Sequence, residues 1–154
     1  MAKEKILTVP GRYDQIQVIC QFVADGARQA GLADDDVFHV ELCCDEATTN
    51  IIEHAYGKED VGPIQVTYEI SHDSFTVTLH DDGRPFVPDD VPEPQYTKID
   101  FEDKGEALDD VLNSLQIGGL GIFFMRKLMD EVFYSFNGVQ GNKLVLVKKL
   151  QPKE

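Results

Sequence analysis

Residues 45–56 read DEATTNIIEHAY, and Glu46, Asn50 and His54 recur in this stretch at four-residue steps. In a helix this spacing places all three side chains on one face. A carboxylate and an amide oxygen in this arrangement suit a hard cation such as Mg²⁺, or a carboxylate that orients a hydroxyl beside a metal. The alternative is an ordinary solvated helix edge. For His54 we favour a hydrogen-bonded structural role over catalysis.

The apolar pattern on either side of this stretch predicts a two-layer α+β domain. Residues 13–30 carry a helical stripe that Gly31 ends, and the aspartates at 34–36 predict the N-cap and first turn of a second helix that reaches about residue 56. A further helix is predicted over 122–129. Strands are predicted at 3–9, 64–70, 75–80, 132–136 and 143–150. This order favours one sheet with the helices on one face.

A second candidate segment follows the third predicted strand and reads HDDGRPF over residues 80–86. An aspartate and a glycine at a strand end often form only a turn. The functional interpretation is that a carboxylate accepts a hydrogen bond from an exocyclic amine, such as that of adenine, while Gly83 lets a flat ring lie against the backbone. By spacing alone, either Asp81 or Asp82 could provide the carboxylate.

The third candidate segment is the run GGLG at residues 118–121, which leads into the predicted helix. Free backbone N–H groups at the start of a helix can bind phosphate, although a flexible hinge has the same composition. The run matches neither the Walker A pattern nor the dinucleotide-binding fingerprint. Residues 87–117, between these segments, are rich in proline and acidic residues, a composition that predicts a long excursion.

The composition limits the classes of partner. The chain has 154 residues, the size of one domain, and its formal net charge of −14 repels nucleic acid and anionic membranes. The same charge opposes a nucleoside triphosphate, so a site for one must supply a metal ion and backbone dipoles. The sequence contains no apolar run long enough to span a membrane, and we expect a cytoplasmic protein whose three cysteines are buried thiols.

Together, the three segments resemble those of the Bergerat-fold (GHKL, histidine-kinase-like) ATPases, over roughly residues 5–150. Residues 45–56 are similar to the N box of the anti-sigma factor serine/threonine kinases, including the ending His-Ala-Tyr. Residues 81–86 resemble the first glycine box of that family, and residues 118–122 with 128–132 resemble its second. The resemblance implies a single ATPase domain over residues 1–154 with an ATP lid at about 87–117.

The resemblance also implies roles for individual residues. Glu46 acts as a base or orients the attacking hydroxyl, and Asn50 binds Mg²⁺. Asp81 recognises the adenine amine, and Gly83 makes room for the base. The glycine-rich loop meets the phosphates, and its residues are Gly118, Gly119, Leu120 and Gly121.

Three further positions bear on the nucleotide site. Among the basic residues near these segments, we assign Arg84 alone to it. The sequence departs from related ATPases at Asn142, where threonine is common, and at Val87, where aspartate is common. The departure at Asn142 leaves open whether this residue contacts adenine.

The implied activity is transfer of the γ-phosphoryl group of ATP, with Mg²⁺, to an anti-anti-sigma protein of the STAS type, by a cytoplasmic homodimer that also binds a sigma factor. The alternative is a binding module in which ATP orders the lid to form a partner surface and no phosphate is transferred.

Overall fold

The computed structural model describes residues 3–85 and 125–150. Within these ranges, five strands form one antiparallel sheet in the order β1-β2-β3-β5-β4. The strands are β1 (Lys3–Pro10), β2 (Pro63–Ile70), β3 (Ser74–Asp81), β4 (Glu131–Asn137) and β5 (Gly141–Lys149). Short connections join β2 to β3 and β4 to β5 into antiparallel hairpins. Among the described strands, β1 lies at one edge of the sheet.

The helices cover one face of this sheet. They are α1 (Ile16–Ala30), preceded by a 3-10 turn (Tyr13–Gln15), and α2 (Asp34–Asn50), continued by a π-helical segment (Ile51–Tyr56). Every second side chain of β3 is buried, as the two-residue period of a strand requires when one face is covered. The apolar ones among them, Phe75, Val77 and Leu79, join residues of α1 such as Ile19 and Val23 in one hydrophobic core. The predicted two-layer α+β architecture is confirmed.

The second helix differs from its prediction in two respects. None of the three aspartates is the N-cap, because that position is taken by Ala33 in an extended conformation with no side-chain cap. Asp34, Asp35 and Asp36 instead occupy the first turn, where their charge complements the helix dipole. The helix reaches Tyr56 as predicted, but its last six residues are π-helical. Segments of this kind often occur at functional sites, and this one directly follows Asn50.

Several sequence-based predictions lie outside the described residues: the excursion at 87–117, Val87, the glycine-rich loop at 118–121 and the start of the helix that follows it. Of that helix, residues 125–128 are described and helical. In the described part of the chain, no helix is both long and apolar enough to cross a membrane.

We predict that Phe75→Ala lowers the free energy of unfolding by about 3–5 kcal/mol, the usual cost of removing a buried phenyl ring. Phe75 in β3 is 0% exposed and contacts the Tyr68 ring at a centroid distance of 5.5 Å. Urea denaturation measures the change. Phe133→Ala on β4, where the side chain is 55% exposed, is the matched control and should cost far less. Equal losses in the two variants would contradict this assignment of the core.

Candidate functional site

The end of the second helix is fastened to the turn that follows β3. The backbone N–H of Arg84 donates to the Ala55 carbonyl over 3.1 Å, and the guanidinium Nε of Arg84 donates to the His54 carbonyl over 2.8 Å. A cation bonded to the last carbonyls of a helix satisfies groups that have no partner within the helix. Arg84, which we had assigned to the nucleotide, therefore has a structural contact of its own.

Tyr56 makes a second connection at the same place. Its hydroxyl accepts a hydrogen bond from the Asp82 backbone N–H over 3.0 Å and donates to the Pro63 carbonyl at the start of β2. The last residue of the DEATTNIIEHAY stretch thus joins the helix, β2 and the turn after β3. Sequence analysis gave Tyr56 no role, because its partner at Asp82 is 26 residues away in the chain.

Glu46 and Asn50 interact on α2, as their spacing predicted. The pKa of Glu46 is raised to about 7, first by burial and then by the neighbouring Asp45 carboxylate, and a hydrogen bond with the Asn50 side chain partly opposes the rise. Asn50 itself is 5% exposed. A carboxyl group that titrates near neutrality can accept or donate a proton under physiological conditions. This arrangement therefore suits general acid–base chemistry.

Asp81 and Asp82 differ in their surroundings. Asp81 is 1% exposed, whereas Asp82 lies at the surface. Oδ1 of Asp81 accepts hydrogen bonds from the Gly83 backbone N–H and from Nδ2 of Asn142, each over 2.8 Å. Burial raises the pKa of Asp81, and these two hydrogen bonds oppose the rise. The spacing left the choice between the two aspartates open, and the buried, anchored position of Asp81 favours it as the recognition group.

Asn142 lies opposite Asp81 in the pairing of β3 with β5 and is 2% exposed. Its Nδ2 also donates to the Arg84 carbonyl over 2.8 Å, so it connects the strand end to the turn. The sequence did not indicate a part for Asn142 in the site. One signal was present: Asn142 is polar at a position whose i+2 and i+4 neighbours, Leu144 and Leu146, are core residues.

Two glycines, Gly83 and Gly141, allow the backbone to pack closely near Asp81. A Cβ on Gly83 would lie 2.6 Å from the Ala55 carbonyl oxygen, so the turn can approach the helix end only with glycine there. Gly141 has φ +83°, and a Cβ on it would overlap the Asp81 carbonyl oxygen. The predicted role of Gly83, space for a base, stays a prediction, since helix packing alone already requires the glycine.

The sequence predicts a hydrogen-bonded structural role for His54, and one of its two ring nitrogens has no such bond. Its Nε2 is buried and makes no hydrogen bond to any residue in the described ranges. His54 contributes its backbone carbonyl to Arg84, and a hydrogen-bonded structural role for its ring stays a prediction.

The donor set around Asn50 is compatible with magnesium. Within residues 3–85 and 125–150, no three His, Cys, Asp or Glu side chains form a metal-binding group. Mg²⁺ is commonly held by one or two protein oxygens, with phosphates and water completing its six ligands. The amide oxygen of Asn50, beside the Glu46 carboxylate, is compatible with that mode.

Comparison with known proteins agrees with this geometry. Residues 9–148 match the family described as histidine kinase-like ATPase domain. The proteins named serine-protein kinase RsbW from Staphylococcus aureus strains RF122 / ET3-1 and MRSA252 are each 33% identical to this chain over 147 residues. Each alignment covers 94% of this chain and 87% of the relative. The resemblance inferred from the three sequence segments is confirmed.

The raised pKa of Glu46 predicts a pH-dependent stability. Between the ordinary value of 4.5 and about 7, the native protein binds this proton more tightly than the unfolded chain does. Stability conferred by the protonated form is therefore lost as pH rises through this window. Glu46→Gln, which stays uncharged, should raise the free energy of unfolding relative to the native sequence at pH 8 and much less at pH 5.

Urea denaturation of the nucleotide-free protein in EDTA measures this difference. Glu69→Gln, at an exposed position on β2, is the control and should give the same small change at both pH values. If Glu46→Gln also gave a pH-independent change, the proposed environment of Glu46 would be wrong.

Proposed function

The chain belongs to the histidine kinase-like ATPase domain family, and we propose that it is an ATP-dependent serine/threonine protein kinase and anti-sigma factor. Its phosphoacceptor would be an anti-anti-sigma protein of the STAS type, and its second partner a sigma factor. The observation that carries the kinase proposal is the Glu46–Asn50 pair, in which a carboxyl group titrating near 7 contacts an amide suited to Mg²⁺. The relatives named serine-protein kinase support the same reaction class.

We assign nucleotide recognition to the two segments that follow α2 in the chain. Asp81 would accept a hydrogen bond from the adenine amine, because a buried carboxylate held by two N–H donors is fixed in position. Gly83 and Arg84 would line the site. The phosphates would contact the glycine-rich loop, which comprises Gly118, Gly119, Leu120 and Gly121. Residues 87–117 would form the ATP lid.

Phosphoryl transfer requires a positioned hydroxyl and an acceptor for its proton. Glu46 would receive the proton from the attacking serine or threonine hydroxyl, since its pKa of about 7 leaves a large carboxylate fraction at neutral pH while keeping the group basic. Asn50 would hold Mg²⁺, and the bound ion would neutralise part of the charge on the phosphates. The hydrogen bond with Asn50 would orient the Glu46 carboxylate.

The acidity of the chain is compatible with ATP only if positive potential is supplied locally. With a net charge of −14, the protein repels a free triphosphate at long range. Mg²⁺ and backbone N–H groups of the glycine-rich loop would supply that potential at the site itself. We accordingly propose Mg-ATP, and not free ATP, as the ligand.

We propose a cytoplasmic homodimer as the working form. The phosphoacceptor and the sigma factor are both proteins, so the nucleotide site and the surfaces that bind these two partners must function together. A module that binds nucleotide and partner without transferring phosphate would share the Asp81 contacts but would not need a base at Glu46. The first of the following two experiments separates these possibilities.

Glu46→Ala should lower the rate of phosphate transfer by about 10²- to 10⁴-fold, the usual contribution of a positioned base. Transfer of ³²P from ATP with Mg²⁺ to the cognate STAS protein measures the rate. Glu69→Ala, an exposed glutamate of β2, is the control and should leave the rate unchanged. Nucleotide binding should persist in both variants. Absence of transfer by the native protein would favour the binding module instead.

Asp81→Asn should weaken ATP binding about ten- to a hundredfold, because a hydrogen bond to a charged acceptor contributes about 1.5–3 kcal/mol. Isothermal titration calorimetry with Mg-ATP gives the affinity. The matched control is Asp82→Asn, which changes the adjacent, exposed aspartate in the same way. A loss confined to Asp82→Asn would transfer the recognition role to that residue.

A further inference from the structure

The side-chain amide of Asn142 has its hydrogen-bonding groups occupied by protein atoms. Nδ2 donates to Oδ1 of Asp81 and to the Arg84 carbonyl, each over 2.8 Å, with the Gly83 carbonyl at 3.4 Å. Its Oδ1 accepts a hydrogen bond from the Tyr134 hydroxyl. An amide nitrogen carries two N–H groups, so both strong donor positions are taken.

The surroundings also fix which way this amide points. The groups near Nδ2 are a carboxylate oxygen and backbone carbonyl oxygens. The carbonyl oxygens can only accept hydrogen bonds, and so can the carboxylate when it is ionised. The group near Oδ1 is the hydroxyl of Tyr134, which can donate. Rotating the amide by half a turn would place oxygen against oxygen at Asp81 and Arg84. The orientation follows from the network.

Asn142 occupies a position where the sheet would otherwise place an apolar residue. It lies in the row that crosses the sheet from Ile64 through Asp81 to Phe136, and Ile64 in the same row is 0% exposed. Burying an amide here costs free energy unless all of its groups are bonded. The hydrogen bonds that compensate for this burial join Asn142 to the end of β3, to the turn that follows it and to β4.

We propose that Asn142 is a positioning residue for adenine recognition, which contacts no nucleotide atom and acts by occupying Oδ1 of Asp81. Within residues 3–85 and 125–150, every hydrogen bond to the Asp81 carboxylate ends on Oδ1. Oδ2 is then the oxygen that accepts the amine of the base. This inference rests on the proposed nucleotide function and assigns a role to a residue outside the predicted site.

The chemistry of the amide distinguishes it from a hydroxyl at the same position. A threonine hydroxyl has one donor, so it could bond Asp81 or the Arg84 carbonyl, but not both. Asn142 bonds both, and so fixes the carboxylate relative to the backbone of residues 83–84. An apolar residue at position 142 should leave the Asp81 carboxylate unfixed, and threonine, with one donor, should fix it in part.

The test compares ATP with purine riboside triphosphate, which lacks only the exocyclic amine. Isothermal titration with each Mg-nucleotide gives the preference for the amine in the native protein, in Asn142→Leu, which is nearly the same size, and in Asn142→Thr. Thr48→Val, which loses a 2.7 Å hydrogen bond to the Cys44 carbonyl in the buried part of α2, is the control for a lost buried hydrogen bond. Circular dichroism checks that each variant is folded.

We expect the native protein and Thr48→Val to prefer ATP by about ten- to a hundredfold, the value of one charge-assisted hydrogen bond. Asn142→Leu should reduce this preference to less than about threefold, with purine riboside triphosphate bound nearly as in the native protein, and Asn142→Thr should lie between. If Asn142→Leu does not fold, Asn142→Asp replaces it, since a second carboxylate beside Asp81 should also abolish the preference.

Other outcomes overturn the inference in distinguishable ways. If Asn142→Leu binds both nucleotides more weakly by the same factor, Asn142 supports the fold in general and does not act through Asp81. If Asn142→Leu changes neither the two affinities nor the preference for ATP, Asn142 is dispensable. A native protein that binds both nucleotides equally removes Asp81 from base recognition, and a native protein that binds neither contradicts the proposed function itself.

Discussion

The structure depends on one junction, where the turn after β3 is bonded on two sides. On one side the Arg84 N–H and the Tyr56 hydroxyl join the turn to the end of the second helix. On the other side Asn142 joins it to β5. Because Glu46 and Asn50 lie on that helix and Asp81 ends that strand, these bonds fix the two halves of the candidate site relative to each other. A site assembled from rigid elements retains its geometry without a ligand.

The two carboxyl groups of the candidate site are less acidic than exposed carboxyl groups. Burial raises the pKa of both Glu46 and Asp81. At Glu46 the nearby carboxylates add to the effect, and the Asn50 amide only partly offsets it. A base with a pKa near the working pH, placed beside an oxygen ligand for a cation, suits transfer of a phosphoryl group to a hydroxyl. The overall charge of −14 is therefore compatible with the proposed binding of an anionic nucleotide.

Sequence reasoning succeeded where a repeating pattern carried the information. The helical stripe through Ile19, Val23 and Ala27 and the alternation along β3 predicted the core and the layers. It failed where a local choice had near-equal alternatives: Ala33, not an aspartate, begins α2, and six residues are too few for apolar spacing to separate a π-helix from an α-helix. Asn142 was missed because its partner Asp81 is 61 residues away, and only the strand register brings them together.

The most direct test of the account is a crystal structure of the protein with Mg²⁺ and a non-hydrolysable ATP analogue. The account predicts the adenine amine within hydrogen-bond distance of Asp81, the metal on the Asn50 amide oxygen, and the γ-phosphate beside Glu46. A nucleotide bound elsewhere, or one whose base contacts neither Asp81 nor the turn that Asn142 holds, would contradict it.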